Sequence, residues 1–264
     1  MGENRENSLI DYLSTTKKGI DRALADLIAG LEGSKLHPQI SYALTSEGKR
    51  LRPIIVIFSG ECIDPGRDNM DLALAFELLH SATLVHDDII DGDDTRRKRP
   101  ALHVKWDPNS AMLTGDALIA LSVKLASGYG PEIIGHVADA ALELCEGEQM
   151  DIVLQSPASC EEYMDIICRK SGSLFRAAAE CGALAAGADS KQAGALACFG
   201  HHFGVAYQLM DDIRDGEKCP KPNPGEKLGD QCRAAKSCLR SLPESAGRYY
   251  LSGMADLLAS AGMV

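Results

Sequence analysis

The sequence predicts an all-α protein, a large single-domain helical bundle, and three observations carry that prediction. Apolar residues recur at three- and four-residue steps through most of the chain. One short apolar run, 54–58, also fits a buried strand, but nothing elsewhere looks like its partner strand. Two of the longest helical patterns end on the same aspartate spacing, Asp87-Asp88-x-x-Asp91 and Asp211-Asp212-x-x-Asp215.

The elements follow in order. Residues 9–31 carry Leu9, Ile10, Leu13, Ile20, Leu24, Leu27, Ile28 and Leu31 mostly at helical spacing, and Gly33-Ser34 ends that helix. A short helix spans 38–44. Pro53 suits the first turn of the next, 54–62. A turn at 64–67 leads to one long helix over 69–91, with Leu72, Phe76, Leu79, Thr83 and Ile90 on a recurring face. Pro108-Asn109-Ser110 opens a helix over 111–127, which Gly128 to Pro131 breaks. Helices over 133–155, 160–172 and 174–186 follow, the last rich in Ala and Gly as close helix packing requires. The pattern over 191–215 ends in the second aspartate cluster. Three prolines, Pro220, Pro222 and Pro224, predict a loop over 216–229. Helices over 231–241 and 244–261 complete a single domain, 1–264, with no linker dividing it.

Composition narrows the function. The chain has 264 residues, enough for one large core, and 45% hydrophobic with 25% charged content is ordinary for a soluble globular protein. Net charge −11 and an isoelectric point near 5.1 argue against nucleic acid as a partner. Nine cysteines with no C-x-x-C pair fit neither a zinc site nor an even-numbered disulfide framework. Most are expected to be small core residues in a reducing cytoplasm. The polar stretch 1–7 is no secretory leader, and no apolar run is long enough to span a bilayer. A soluble, cytoplasmic protein with no integral membrane segment is expected.

The chemistry concentrates at His86-Asp87-Asp88-Ile89-Ile90-Asp91-Gly92-Asp93-Asp94-Thr95-Arg96-Arg97-Lys98-Arg99. Asp87 and Asp91 lie i and i+4 on one helix face, a repulsive arrangement that hard divalent cations relieve. Arginines just beyond can fork onto phosphate oxygens. A charge run alone is usually a solvated loop. Its repetition at Tyr207-Gln208-Leu209-Met210-Asp211-Asp212-Ile213-Arg214-Asp215 shifts the balance to paired sites for Mg²⁺ bridged by a diphosphate.

These residues resemble the trans-isoprenyl diphosphate synthases of the polyprenyl synthetase family. The matching segments are Gly48-Lys49-Arg50-Leu51-Arg52-Pro53, His80 with Leu84 to Asp91, Arg96-Arg97, Gly115-Asp116-Ala117-Leu118, Lys170-Ser171-Gly172, and Tyr207-Gln208 with the second motif. They run in the family's order over roughly 9–215. The resemblance implies an isoprenoid-synthase fold with a central active-site cavity, and a homodimer. It also implies head-to-tail condensation of isopentenyl diphosphate with an allylic diphosphate. Asp87, Asp91 and Asp211 would hold Mg²⁺, three ions per site once diphosphate is bound. Asp88, Asp212 and Asp215 would act in the outer shell or through water. Arg96 and Lys170 would bind the allylic diphosphate, with Ser171 and Gln208 near the ionising carbon. Lys49, Arg52, His80 and Arg97 would form a metal-free cationic pocket for isopentenyl diphosphate. Tyr207 is read as packing and Asp116 as a structural carboxylate within its helix. His103, His201 and His202 stay unassigned.

The pattern departs from the family at four places. Lys98 stands where glycine is usual after the arginine pair, Glu148 where glutamine is usual, and Ser171 where threonine is commoner. After Asp215 the family's lysine-rich loop is shortened here. Lys227 is its best candidate for diphosphate binding, ahead of Lys218 and Lys221. Phe76, Leu79 and Ala82, with neighbouring Thr83, form a row along the helix of the first motif. Small Ala82 and Thr83 imply a product of geranylgeranyl length or longer, with Leu79 or Phe76 as its floor. Two other functions fit the sequence less well. A non-catalytic subunit modulating a partner synthase is disfavoured because both aspartate motifs survive. A class I terpene cyclase is disfavoured because Lys49, Arg52 and His80 have no use in it.

Overall fold

The computed structural model describes residues 2–154, 159–215 and 224–261. Twelve α-helices occupy them, with one two-residue antiparallel bridge, Thr95–Arg96 against Arg99–Pro100. The helices pack as two compact units.

One unit comprises Ile10–Ile54 and Met70–Gly130. It takes in most of α1 (Gly2–Ala29), then α2 (His37–Leu44) and the start of α3 (Leu51–Glu61). It continues with α4 (Met70–Ile90), α5 (Leu102–Lys105) and α6 (Pro108–Ala126). The sequence places a single apolar face on α4. In the structure every residue from Leu72 to Leu79 is buried, so α4 has no solvent-facing side over that stretch. Ile90 at its end is exposed. The helix enclosing α4 most closely is α6: Ser122 donates its hydroxyl to the Ala75 carbonyl at 2.8 Å. Near the end of α4, Val85 joins Leu102 and Ala111 in a small core capped by Tyr42 and Trp106, whose rings meet edge to face at 5.2 Å.

Close approach of α6 to α4 depends on Gly115. A Cβ there would sit inside the His86 ring, which precedes the first motif directly. Gly115→Ala should therefore cost about 1–3 kcal/mol, the usual range for overpacking a close contact. Gly194, with open space around its Cα, is the opposite case. Its alanine variant should gain up to about 1 kcal/mol from helix propensity. Urea melts of the two variants should shift in opposite directions.

The other unit comprises Ile55–Asn69 and the chain from Pro131 onward, with the first residues of α1. It contains α7 (Pro131–Leu154), α8 (Cys160–Ile167), a π-helical turn (Cys168–Gly172), α9 (Ser173–Ala185), α10 (Ser190–Asp215), α11 (Pro224–Cys238) and α12 (Ala246–Ala261). Ser159 and Glu162 make a reciprocal capping box that starts α8. The Ala- and Gly-rich α9 packs on α10 as its composition predicts, with Phe175 against Phe203 at 5.6 Å and against Tyr207 at 5.8 Å.

Several expectations are corrected. The predicted loop over 216–229 is helical from Pro224. Proline suits a first turn, Glu226 favours the helix N-terminus, and Leu228, Cys232, Ala235 and Leu239 all bury. Residues 216–223, with Lys218 and Lys221, lie outside the described residues. The reading of 160–172 as one regular helix misses the π turn. The rule that no segment could span a bilayer fails for Pro108–Tyr129, which is long and apolar enough by length and composition. Asp116 and Lys124 interrupt its apolar run, and mean hydropathy absorbs both. Of the described cysteines only Cys62, Cys181 and Cys232 are buried, while Cys198 and Cys238 form a disulfide joining α10 to α11. Asp116 is exposed, 3.9 Å from the His86 ring, rather than structural inside its helix.

Candidate active site

In the unit of α4, the carboxylates of the first motif differ in environment. Asp88 is buried, 3% exposed, and accepts from Arg96 Nε at 2.6 Å. Burial raises its pKa, and Arg96 pulls it partly back. Asp87 is half-buried and Asp91 exposed at the helix end. Asp88 thus anchors the arginine loop, while Asp87 lies in the last turn of α4 and Asp91 just past its end. The loop itself is a tight hairpin. Arg97 and Lys98 adopt positive φ, 51° and 63°, so lysine occupies a left-handed position that glycine fills more cheaply. The Lys98 departure is a backbone matter.

The cations predicted for isopentenyl diphosphate gather around the segment before α3. Arg97 Nη1 donates to Ser46 Oγ at 3.0 Å. A Cβ on Gly48 would lie 2.9 Å from Arg97 Nη1, so Gly48 keeps room for it. Lys49 is exposed and Arg52 half-buried. Burial and the guanidiniums of Arg52, Arg97, Arg50 and Arg96 hold the His80 imidazole well below its ordinary pKa. His80 therefore adds no charge to this cluster, whose positive charge comes from the lysine and arginines. Arg50, in the same segment, has another job. It is buried, pairing with Glu77 at 2.5 Å and Asp21 at 2.9 Å, and it donates to the Leu44 and Ser46 carbonyls. Phe76, Leu79 and Ala82 are buried along α4, and half-buried Thr83 donates to the His80 carbonyl at 2.8 Å.

In the unit of α10, the second motif repeats the division. Asp212 is buried, 6% exposed, and both its oxygens are engaged: Gln208 Nε2 donates to one at 2.7 Å and the Tyr163 hydroxyl to the other. Burial raises its pKa, and those two hydrogen bonds offset part of the rise. Asp211 is half-buried and Asp215 exposed. Ser171 donates to Gln208 Oε1 at 2.6 Å, so one hydrogen-bonded chain runs Ser171, Gln208, Asp212, Tyr163. Tyr163 and its role carry no local sequence signal.

The π turn places Ser171 and Lys170, a common device where function demands an irregular helix. It lies hard against α7, where a Cβ on Gly147 would come within 2.7 Å of Arg169 Cβ. Lys170 pairs with Asp151 at 2.5 Å and with Glu148 at 2.9 Å. Burial opposes its charge, but these carboxylates more than compensate and its pKa rises. Glu148, the departure from the usual glutamine, is thus a second anion on the lysine expected to grip diphosphate. Lys227 lies half-buried on α11, and no described hydrogen bond or ion pair joins it to the second motif.

Asp87, Asp91, Asp211 and Asp215 are all-oxygen donors at helix ends, the chemistry suited to Mg²⁺ rather than to a softer metal. Asp88 and Asp212 are held by protein partners, which suits an outer role.

Two long helices that each end in a carboxylate motif, with guanidiniums gathered beside the first, have the chemistry of a protein that handles diphosphates. The polyprenyl synthetase family model matches residues 34–235, and the chain belongs to that family. It is 33% identical over 217 residues to a geranylgeranyl diphosphate synthase of Methanosarcina mazei, covering 79% of this chain and 67% of the relative. A geranylfarnesyl diphosphate synthase of the same organism is 36% identical, covering 74% of this chain and 66% of that one. The chain thus spans about two thirds of the length of these curated relatives. Among solved structures, a geranylgeranyl pyrophosphate synthetase from the archaeon Geoglobus acetivorans superposes with a TM-score of 0.86 at 26% identity. That match covers 94% of this chain and 99% of the other.

Proposed function

We propose that this chain is a cytoplasmic, Mg²⁺-dependent prenyltransferase. It condenses isopentenyl diphosphate with an allylic diphosphate to give an all-trans prenyl diphosphate of geranylgeranyl length or longer. The observation that carries the proposal is the repeat itself: in each motif a buried aspartate, Asp88 or Asp212, is locked by protein hydrogen bonds beside further carboxylates at the end of a long helix. The named relatives, both synthases of long prenyl diphosphates, support the same reading.

Asp87, Asp91 and Asp211 would hold Mg²⁺, three ions in all, with Asp88 and Asp212 behind them and exposed Asp215 acting through water. When bound, Mg²⁺ neutralises the diphosphate as it leaves the allylic carbon. Arg96 and Lys170 bind that diphosphate, and Lys227 is a further candidate for it. Gln208, oriented at both ends by Ser171 and Asp212, turns a carbonyl dipole rather than a nucleophile to the developing cation. Lys49, Arg52 and Arg97 bind isopentenyl diphosphate with neutral His80 beside them, and the C4 alkene attacks the allylic cation. The proton then lost passes to the departing pyrophosphate. The chain's contribution is positioning and exclusion of water. We treat 1–264 as one prenyltransferase domain. A homodimer fits the exposed apolar stripe of Met112, Leu113, Ile119 and Val123 along α6.

Two measurements test this reading. With Glu148→Gln, Lys170 keeps Asp151 but loses one competing anion, the contact of buried Glu148 with a partly exposed lysine, worth about 0.2–1 kcal/mol. KM for the allylic diphosphate should fall by about 1.4- to 5-fold with kcat little changed. An unchanged or raised KM would remove Lys170 from diphosphate binding. Ala82→Phe should shorten the product on thin-layer or mass analysis, and an unchanged chain-length distribution would sink the row of Ala82, Leu79 and Phe76 as ruler.

A further inference from the structure

Among the described residues outside the aspartate motifs, one cluster combines ligand types that carboxylate chemistry does not use. Cys198 and His202 stand i and i+4 on α10, so their side chains share a face. Cys238, the last residue of α11, completes the group. The two sulfurs and a ring nitrogen of His202 all lie within 4.8 Å of one another. A second observation concerns the imidazole. Gln231 Oε1 meets His202 Nδ1 at 2.6 Å. An amide oxygen only accepts, so Nδ1 is the donor of this pair, and in the neutral ring Nε2 then offers its lone pair to a metal. Metal-bound histidines are oriented by a hydrogen bond of this kind at the other nitrogen.

We propose that Cys198, His202 and Cys238 form a site for one thiophilic divalent cation of the zinc class. Two thiolates and an imidazole favour such an ion over Mg²⁺, whose preferred ligands are oxygen. Around tetrahedral zinc these donors would stand roughly 3.5–3.8 Å apart, within reach of the observed cluster by small rotamer changes. Water takes the fourth position. The C-x-x-C rule missed this site because its ligands come from two helices, 40 residues apart at the cysteines.

The disulfide is the closed form of the same site. Opening it takes two electrons and two protons, supplied by two small-molecule thiols that leave as their own disulfide. The cation then displaces the two thiol protons to solvent. Either state ties α10, which carries Asp211, Asp212 and Asp215, to α11, which carries Lys227.

The test uses the full chain, reduced with a phosphine under nitrogen and titrated with Co²⁺ while excess Mg²⁺ occupies carboxylates. We expect thiolate-to-cobalt charge-transfer absorption that saturates at one equivalent and is displaced by Zn²⁺. Cys198→Ser and Cys238→Ser should each abolish it. Gln231→Ala should weaken Co²⁺ affinity about 10- to 100-fold, the usual effect of losing such a partner. Cys168→Ser, near His201 instead, should leave the band unchanged. Circular dichroism of each variant separates a lost ligand from a lost fold. Absence of the band in the reduced protein, or its survival in folded Cys198→Ser, would overturn the site and leave a disulfide staple only.

Discussion

Asp87→Asn and Asp211→Asn are each expected to lower kcat by at least about 10²–10³-fold, the loss typical when one stabiliser of transition-state charge is removed. Each variant keeps its volume and should keep its fold, because neither residue is among the buried polar side chains. Raising Mg²⁺ should restore part of the activity of each, since weakened cation binding is the cause. Asp212→Asn should behave differently. Its partners are Tyr163 and Gln208, and an amide cannot accept at both positions. Extra Mg²⁺ should not rescue it, and Gln208 should lose its orientation. Steady-state kinetics across a Mg²⁺ series distinguish the two patterns. Exposed Asp139→Asn on α7 serves as a charge-matched control with unchanged kcat.

Arg50→Ala should be among the most destabilising substitutions in the protein. It leaves the Glu77 carboxylate, 3% exposed, without its principal counter-charge. Breaking one side of a buried ion pair typically costs about 3–5 kcal/mol. The Leu44 and Ser46 carbonyls lose their donor as well. Removing both charges with an Arg50→Met, Glu77→Met pair should recover much of the loss, because the stranded charge carries most of the penalty. Urea unfolding of the single and double variants measures this directly. The functional consequence is local. Arg50 ties the segment bearing Lys49 and Arg52 to α4, so weak binding of isopentenyl diphosphate should accompany the lost stability.

The contrast between Arg50 and its neighbours shows how far the sequence could be read. Helical spacing located most helices to within a few residues, because α1, α7, α9 and α10 each show regular apolar recurrence. The repeated aspartate spacing located both motifs. Neither pattern distinguishes Asp87 from Asp88 or Asp211 from Asp212, since adjacent carboxylates look alike until Arg96, Tyr163 and Gln208 are placed around them. The same limit hid Arg50, whose partners Asp21 and Glu77 are 29 and 27 residues away. Local rules also misjudged α11. Prolines outweighed the buried recurrence of Leu228, Cys232, Ala235 and Leu239, although Pro224 stands where a helix begins most readily. The cysteine cluster escaped because metal-ligand rules look along the chain, and Cys238 approaches Cys198 only across two packed helices.

Prenyl elongation is read out by incubating the purified full chain with Mg²⁺, labelled isopentenyl diphosphate and a panel of allylic diphosphates. Elongated all-trans prenyl diphosphates of geranylgeranyl length or longer are expected, formed only while Mg²⁺ is present and abolished by chelation. No elongated product with any primer, or release of pyrophosphate from the allylic substrate without uptake of label, would contradict it.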